Sequence, residues 1–327
     1  MLPQSLFSQH KHGKWTIAAM EYNVENLFDC KHDTLKDDFD YLPEGKCQWT
    51  PSKYWKKLNA VARGIVLGAT KDENFLPPDI IGLCEVENDS VLYALTHRSL
   101  LKGAGYEYVM TDSPDQRGVD VALLYQPVSF RYEKHYGIRI DTIPGMRKTR
   151  DVLYVKGQVR TSEDKLSDMH VFVVHAPSRR GGEVDSRPFR VHVAKRLLQS
   201  VDSLRATEPD AKILVMGDFN DYDGDAALEL IASNGLTDVS TKPYQIRDGK
   251  VKGTYRYRGE WGSLDHIFLS SSLCKNVSQS YIAEHPDLLE EDTRFGGYLP
   301  YRFFRGPIVH GGYSDHLPLI VEFSLPD

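Results

Sequence analysis

The stretch Ile213-Leu-Val-Met-Gly-Asp-Phe-Asn-Asp221 restricts the fold more than any other part of this chain. Its apolar residues, Ile213 to Met216, are too few for a buried helix and suit a buried strand. Gly217 then allows the backbone to turn. Asp218, Phe219, Asn220 and Asp221 follow at once, which puts a carboxylate and a carboxamide at the strand's C-terminal end. Open α/β sheets bind ligands there. Asp218 and Asn220 lie two apart, so extended backbone projects both from one face. The first can take or give a proton, and the second both donates and accepts hydrogen bonds. Taken singly, the segment reads first as a β-turn closed by Asp and Asn.

The pattern recurs along the chain. Ile17 to Asn23 is a strand that ends in Asn23 and Glu25, which alternation places on one side. The apolar run from Asp79 stops on Glu85, and Val171 to Val174 delivers His175. Asp265 sits just inside the strand Leu264–Leu269, and Asp315 and His316 precede the last strand. Between these runs, Thr50 and Pro51 open a helix with Tyr54, Leu58, Val61 and Ile65 on its apolar face. Further helices are predicted from about Ser90 to Leu101, over Arg187–Leu204 and near Ala226–Ile231. Tyr106–Met110, Val121–Tyr125 and Val152–Val159 are further strands, and Glu284–Gly312 reads as a long ordered loop. Several strands follow one another with no helix between, so the prediction is an α/β fold with mixed sheets. A single domain over 15–327 follows an N-terminal extension, 1–14.

Each polar strand end has an ordinary explanation alone: a helix cap for Glu85, a core histidine for His175, a turn for Asp315 and His316. Together they gather carboxylates that are costly to bring close without a cation. Oxygen ligands without a cysteine cluster suit Mg²⁺ or Mn²⁺. Cys30, Cys47, Cys84 and Cys274 have no metal-binding spacing, and no disulfide is expected between Cys30 and Cys47. The net charge of −6 weighs against a binder of duplex nucleic acid that depends on counterion release. No apolar run reaches the length of a membrane span. Met1 to Lys14 lacks the apolar core of a signal peptide, which leaves a cytoplasmic chain and a trimmed secreted one both open.

The ordered set Asn23-Val-Glu25, Glu85-Val, His175, Gly217-Asp-Phe-Asn-Asp221, Leu264-Asp265 and Ser314-Asp-His316 resembles the successive motifs of the endonuclease/exonuclease/phosphatase superfamily, from residue 17 to residue 324. The resemblance implies a four-layer α/β sandwich, two mixed β-sheets packed face to face with helices on the outside. It implies a divalent-metal-dependent phosphoesterase with its active site at one edge of the sandwich; a monomer is expected. Carried over by residue, Glu85 is the principal metal ligand, Glu25 lies near it, and Asp315 completes the site. Asn23 lies beside the substrate, Asp218 orients or deprotonates the attacking water, and Asn220 holds the phosphate. His316 binds phosphate oxygens with Asp265 as its orienting carboxylate. His175 matches the acid/base histidine of the deoxyribonuclease branch, with Asp112 as its partner.

A nuclease or phosphodiesterase is the first expectation. A phosphatase or phosphodiesterase of lipid head groups or small phosphorylated molecules is the second, and a non-catalytic binding module the third. The substrate is a phosphodiester or phosphomonoester, with nucleic acid left open. Arg179 and Arg180, just after His175, are candidate substrate contacts because guanidinium forks match phosphate oxygens. A solvated loop leading into a helix explains them equally well, and for Arg190 it is preferred. Tyr255-Arg-Tyr-Arg258, followed by Trp261, either stacks a base or sugar or packs its aromatics inward, the commoner outcome.

Overall fold

Two strand–helix–strand units set the frame of the computed structural model, which describes residues 10–11, 14–71, 74–161, 165–242 and 250–325. In the first unit, β1 (Lys14–Leu27) leads through α1 (Pro51–Gly68) to β2 (Ile80–Val86), which lies parallel to β1. The Thr50 side chain accepts from the Lys53 N–H and starts α1, as its sequence predicts. After α2 (Asp89–His97), the strands β3 (Glu107–Met110) and β4 (Asp120–Tyr125) add antiparallel to the sheet. β5 (Phe130–Ile138) and β6 (Val152–Arg160) begin the second sheet.

The second unit runs from β7 (Leu166–His175) through α3 (Glu183–Thr207) to β8 (Ile213–Asp218), again parallel. Then come α4 (Ala226–Ser233), β9 (Leu236–Asp238), the hairpin β10 (Tyr255–Tyr257) and β11 (Glu260–Gly262), and β12 (Asp265–Ser270). β13 (Val277–Ile282) and β14 (Leu319–Ser324) return to the first sheet. The first sheet has the order β13-β14-β1-β2-β4-β3, with His10–Lys11 paired onto β1. The second has the order β9-β12-β8-β7-β6-β5. Every other neighbouring pair in the two sheets is antiparallel.

The inner faces of the two sheets share one apolar core, which also takes in α1 and α2 outside the first sheet. A second cluster packs α3 and α4 on the outside of the second sheet. These are the layers of the expected sandwich. Gly82 on β2 fits against Met216 on β8, where an added Cβ would lie 3.0 Å from the methionine. The two parallel pairs send the C-terminal ends of β1, β2, β7 and β8 to one edge. Asn23, Glu85, His175 and Asp218 therefore meet there although they are far apart in sequence.

Several details depart from the sequence reading. α3 begins at Glu183, earlier than Arg187, with Glu183 and Asp185 in its first turn, where acids favour the helix dipole. β5 was not expected: between buried ends every residue is exposed, so it carries no period-two signal. The region 284–312 holds two short hairpins, Leu289–Glu291 with Tyr298–Pro300 and Phe304–Arg305 with Ile308–Val309. Cys30, Cys47, Cys84 and Cys274 are free thiols. Among the described residues no helix is long and apolar enough to cross a membrane. Part of the extension 1–14 lies outside the described residues.

Candidate active site

Strand register places the reactive groups in one row. His175 on β7 pairs with Asp218 on β8, and Asp218 pairs in turn with Asp265 on β12. Gly217 makes this row possible, for a reason other than a turn. It stays within β8 at φ 150°, and an added Cβ would lie 1.8 Å from the Val174 carbonyl oxygen. Close approach of two backbones, rather than chain reversal, excludes a side chain.

The Asp218 carboxylate is buried, held by two hydrogen bonds and bordered by His175. Asn23 Nδ2, from the first sheet, donates to Oδ2 at 3.0 Å. The Asn220 N–H donates to Oδ1 at 2.9 Å, and His175 Nε2 lies 3.6 Å from Oδ2. Burial pushes its pKa up to about 7; His316 opposes the rise and Asp265 adds to it. His316 Nδ1 lies 2.8 Å from Asp265 Oδ2. Burial alone would push His316 down, but the Asp265 carboxylate overrides it, and the pKa stands at about 10. Burial likewise presses Asp265 upward, yet His316 holds it below the usual carboxylate range. One ligand atom from each of Asp218, Asp265 and His316 falls within 4.8 Å of the others. The result is a carboxylate poised to change protonation near neutral pH beside a lasting imidazolium.

His175 is neutral here. Burial pushes its pKa well below the usual histidine value, and Arg150, Arg117 and His316 add to the effect. Its Nδ1 is buried with no partner among the described residues. Asp112 is exposed and makes no contact with it. The buried acid of that loop is Asp115, 3.2 Å from Arg150 Nη1. Arg150 also donates from Nε to the His175 carbonyl at 3.2 Å and from Nη2 to the Ala176 carbonyl at 2.7 Å.

Glu85 lies beyond His175, with Oε1 3.9 Å from Nε2. Arg117 Nη2 donates to the same oxygen at 3.0 Å, and the Asn26 N–H donates to Oε2 at 3.0 Å. Burial opposes the charge, but Arg117 holds the Glu85 pKa below its usual value. Glu25 does not share a face with Asn23. Its φ is 53° and β1 is irregular between Asn23 and Leu27, so alternation ends there. The side chain turns to the 284–312 region, where Oε2 accepts from the Phe303 N–H at 2.6 Å and Oε1 faces Arg302 Nε at 3.4 Å. Asp315 Oδ2 accepts from the same guanidinium at 2.7 Å. Burial and the charge of Asp315 push Glu25 up to about 8. Behind them Lys57 is buried, pushed down to about 8 by that burial while Glu25, Asp315 and Glu85 oppose the fall. This set, Glu85, Glu25 and Asp315, offers carboxylate oxygens and no thiol, and of its acids Glu25 is pressed toward protonation by burial and by Asp315. Such a donor set fits a hard divalent cation.

Asn220 and Arg179 differ most from the roles the sequence suggests. Asn220 has φ 52°, so it does not project in parallel with Asp218; its Nδ2 donates to the Ala176 carbonyl at 3.0 Å. Arg179 lies 2.7 Å from Asp225 and 3.3 Å from Asp221, over the Tyr222 ring, so its charge is engaged within the protein. Arg190 is fully buried against Asp221 rather than solvated. Arg180 is exposed and borders a cavity next to the site.

Other contributors carried weak sequence signals. Lys57 falls on the apolar stripe of α1, one residue before Leu58, where a charge is out of place. Glu21 lies two before Asn23 on β1, fully buried, and burial followed by Asp265 raises its pKa well above normal. Tyr255 packs on His316 with ring centroids 4.9 Å apart, so at least one aromatic of the 255–261 hairpin does pack inward. Arg256 ties the hairpin to the Gly296 carbonyl at 2.7 Å.

A family model described as the endonuclease/exonuclease/phosphatase family matches residues 16–324. No curated protein matches the sequence. Among solved structures, a family protein from Bacteroides thetaiotaomicron aligns at TM-score 0.61 and 18% identity, covering 96% of this chain and 99% of that one. A mannosyl-6-phosphatase from the same species aligns at TM-score 0.57 and 17% identity, over 93% and 98% of the two chains. The human Nocturnin catalytic domain, solved with bound sulfate, aligns at TM-score 0.55 and 17% identity, over 95% of each. At these identities the likeness shows a common fold.

Proposed function

The chain belongs to the endonuclease/exonuclease/phosphatase family, whose members are phosphoesterases, and on that premise we propose that it hydrolyses a phosphodiester with the help of Mg²⁺ or Mn²⁺. One observation carries the reading: the buried Asp218 carboxylate, with its pKa near 7, stands beside the Asp265–His316 pair. A general base works best with a pKa close to the operating pH. Asp218 therefore accepts a proton from water, while Asn23 keeps its Oδ2 turned to the site. The His316 imidazolium faces the charge that develops on the phosphate oxygens, and a preorganised donor of this kind stabilises the transition state strongly. His175, neutral and locked by Arg150 at its backbone, grips or orients the phosphate through Nε2. Glu85, with Glu25 and Asp315, would hold the cation. When bound, that cation offsets negative charge on a non-bridging phosphate oxygen.

The test is a substrate panel with Mg²⁺ and with Mn²⁺: bis-p-nitrophenyl phosphate, plasmid DNA, RNA, an abasic-site duplex, sphingomyelin and inositol phosphates. Hydrolysis of the generic diester, lost in excess chelator, is the expected result. Cleavage of monoesters alone would move the assignment to a phosphatase, and binding without turnover of any member would reject catalysis.

A further inference from the structure

Next to the catalytic row lies a cavity of about 460 Å³, the size that accommodates a small organic ligand. Arg117 and Arg150 form the wall it shares with the active site: the first holds Glu85, and the second holds the His175 carbonyl. Arg147, Lys148 and Arg180 border it on the outer side. All three are exposed and have no hydrogen-bond or ion-pair partner among the described residues. Thr149, 4% exposed, also lines the cavity, and its hydroxyl has no partner among the described residues. The acid in the lining, Asp115, is neutralised by Arg150 at 3.2 Å. Five cations therefore surround one already paired carboxylate. In a protein of net charge −6, such a concentration is not the ordinary composition of the surface.

We propose that this cavity is a second anion subsite, which receives a terminal phosphate on the unit adjoining the scissile ester. The inference rests on the phosphodiester reading above and adds the substrate class: a short phosphodiester that carries a second phosphoryl group. Arg147 and Lys148 supply the charge that recognises it, and the forked guanidinium suits phosphate oxygens. The cavity is partly open, and its volume of about 460 Å³ suits one further phosphorylated unit rather than a long polymer.

Isothermal titration with Mg²⁺ present tests this, with thymidine 3′,5′-bisphosphate compared with thymidine 3′-phosphate and thymidine 5′-phosphate. The bisphosphate should bind at least about tenfold more tightly than either monophosphate, a difference that shrinks as salt rises. In the double variant Arg147→Ala/Lys148→Ala that ratio should collapse to within about twofold, while Arg147→Lys/Lys148→Arg keeps it. A ratio near one in the unaltered protein, or a ratio untouched by the double alanine variant, overturns the subsite. The two readings fail separately. If the bisphosphate is preferred but thymidine 3′-(p-nitrophenyl phosphate) is not cleaved, the subsite stands and the phosphodiesterase assignment falls. If that ester is cleaved but the ratio is near one, the assignment stands and the subsite falls.

Discussion

Replacing Asp265 by Asn preserves shape and removes one charge from the pair that defines the site. Asp265 Oδ2 lies 2.8 Å from His316 Nδ1, and the histidine stands at about 10 instead of its ordinary 6.5. At 1.36 kcal/mol per pH decade, that rise favours the imidazolium by about 5 kcal/mol, shared among Asp265, Asp218 and Asp315. A single neighbouring charge accounts for about 1–3 pH units. The alkaline limb of the kcat profile should therefore fall by about that much in Asp265→Asn. A fall of about two units costs roughly tenfold in rate at about pH 9 and little at about pH 7. Asp265 also raises Asp218, which stands at about 7, so the acid limb should move to lower pH as well. Stability follows the same sign. A histidine with a raised folded pKa contributes stability that is full below 6.5 and is lost as pH rises through about 10. The variant should lack that contribution. Turnover of bis-p-nitrophenyl phosphate measured between about pH 5 and 10.5 reads both limbs. An alkaline limb that stays in place, or a loss of rate uniform in pH, would refute the pairing of Asp265 with His316.

Glu85→Gln should abolish metal-dependent hydrolysis with the fold retained, measured as turnover and melting temperature on one preparation; full activity in the variant or in excess chelator excludes the metal site. His175→Ala should cut kcat/KM by roughly 10–10²-fold, the loss of one hydrogen bond to a charged group, whereas a fall in melting temperature with unchanged turnover would make it a core residue. Glu25 is pushed up to about 8, so without metal it costs stability increasingly as pH rises from its unfolded value through 8; Glu25→Gln should flatten that slope in chelator, and a melting curve of unchanged pH dependence would contradict its burial as an acid. Arg179→Ala should lower stability by about 1–3 kcal/mol through loss of its contacts with Asp221 and Asp225, while Arg180→Ala should chiefly raise KM; denaturant unfolding and steady-state kinetics separate the two arginines.

The fold and the row of site residues were legible because strand termini announce themselves in sequence. Apolar runs ending on Asn23, Glu85, His175 and Asp218 show which strands reach the site, and parallel pairing of β1 with β2 and of β7 with β8 brings those ends together. What stayed hidden depends on partners distant in the chain. Arg150 is one cation among Arg147, Lys148 and Arg150 until folding buries it under the His175 carbonyl. Arg302 lies in a region that reads as a loop, and its meaning comes from Glu25, on the opposite side of the sequence. Arg179 and Arg180 are adjacent and chemically equal, yet one faces Asp225 and the other the cavity.

The failures of simple alternation share a physical origin. Glu25, Asn26, Glu85 and Asn220 all have φ between 52° and 68°, a conformation disfavoured for residues with a side chain. Among the described residues only Gln48 and Arg258 join them as non-glycine cases, so most such positions lie at the strand ends that form the site. Each costs on the order of 1–3 kcal/mol unless the surroundings fix it. The fixing contacts are visible: the Asn26 N–H to Glu85, the Phe303 N–H to Glu25, and the Asn220 N–H to Asp218. In each pairing a carboxylate of the site accepts from a backbone N–H, and in two of them that N–H belongs to one of the strained residues themselves. Strain and site are thus one arrangement, in which the backbone leaves the strand so that its N–H groups can orient the acids. A pattern of period two cannot report such a departure. The Asn-Val-Glu-Asn and Gly-Asp-Phe-Asn sequences mark where it happens, and Asn is the side-chain-bearing residue that best tolerates this conformation.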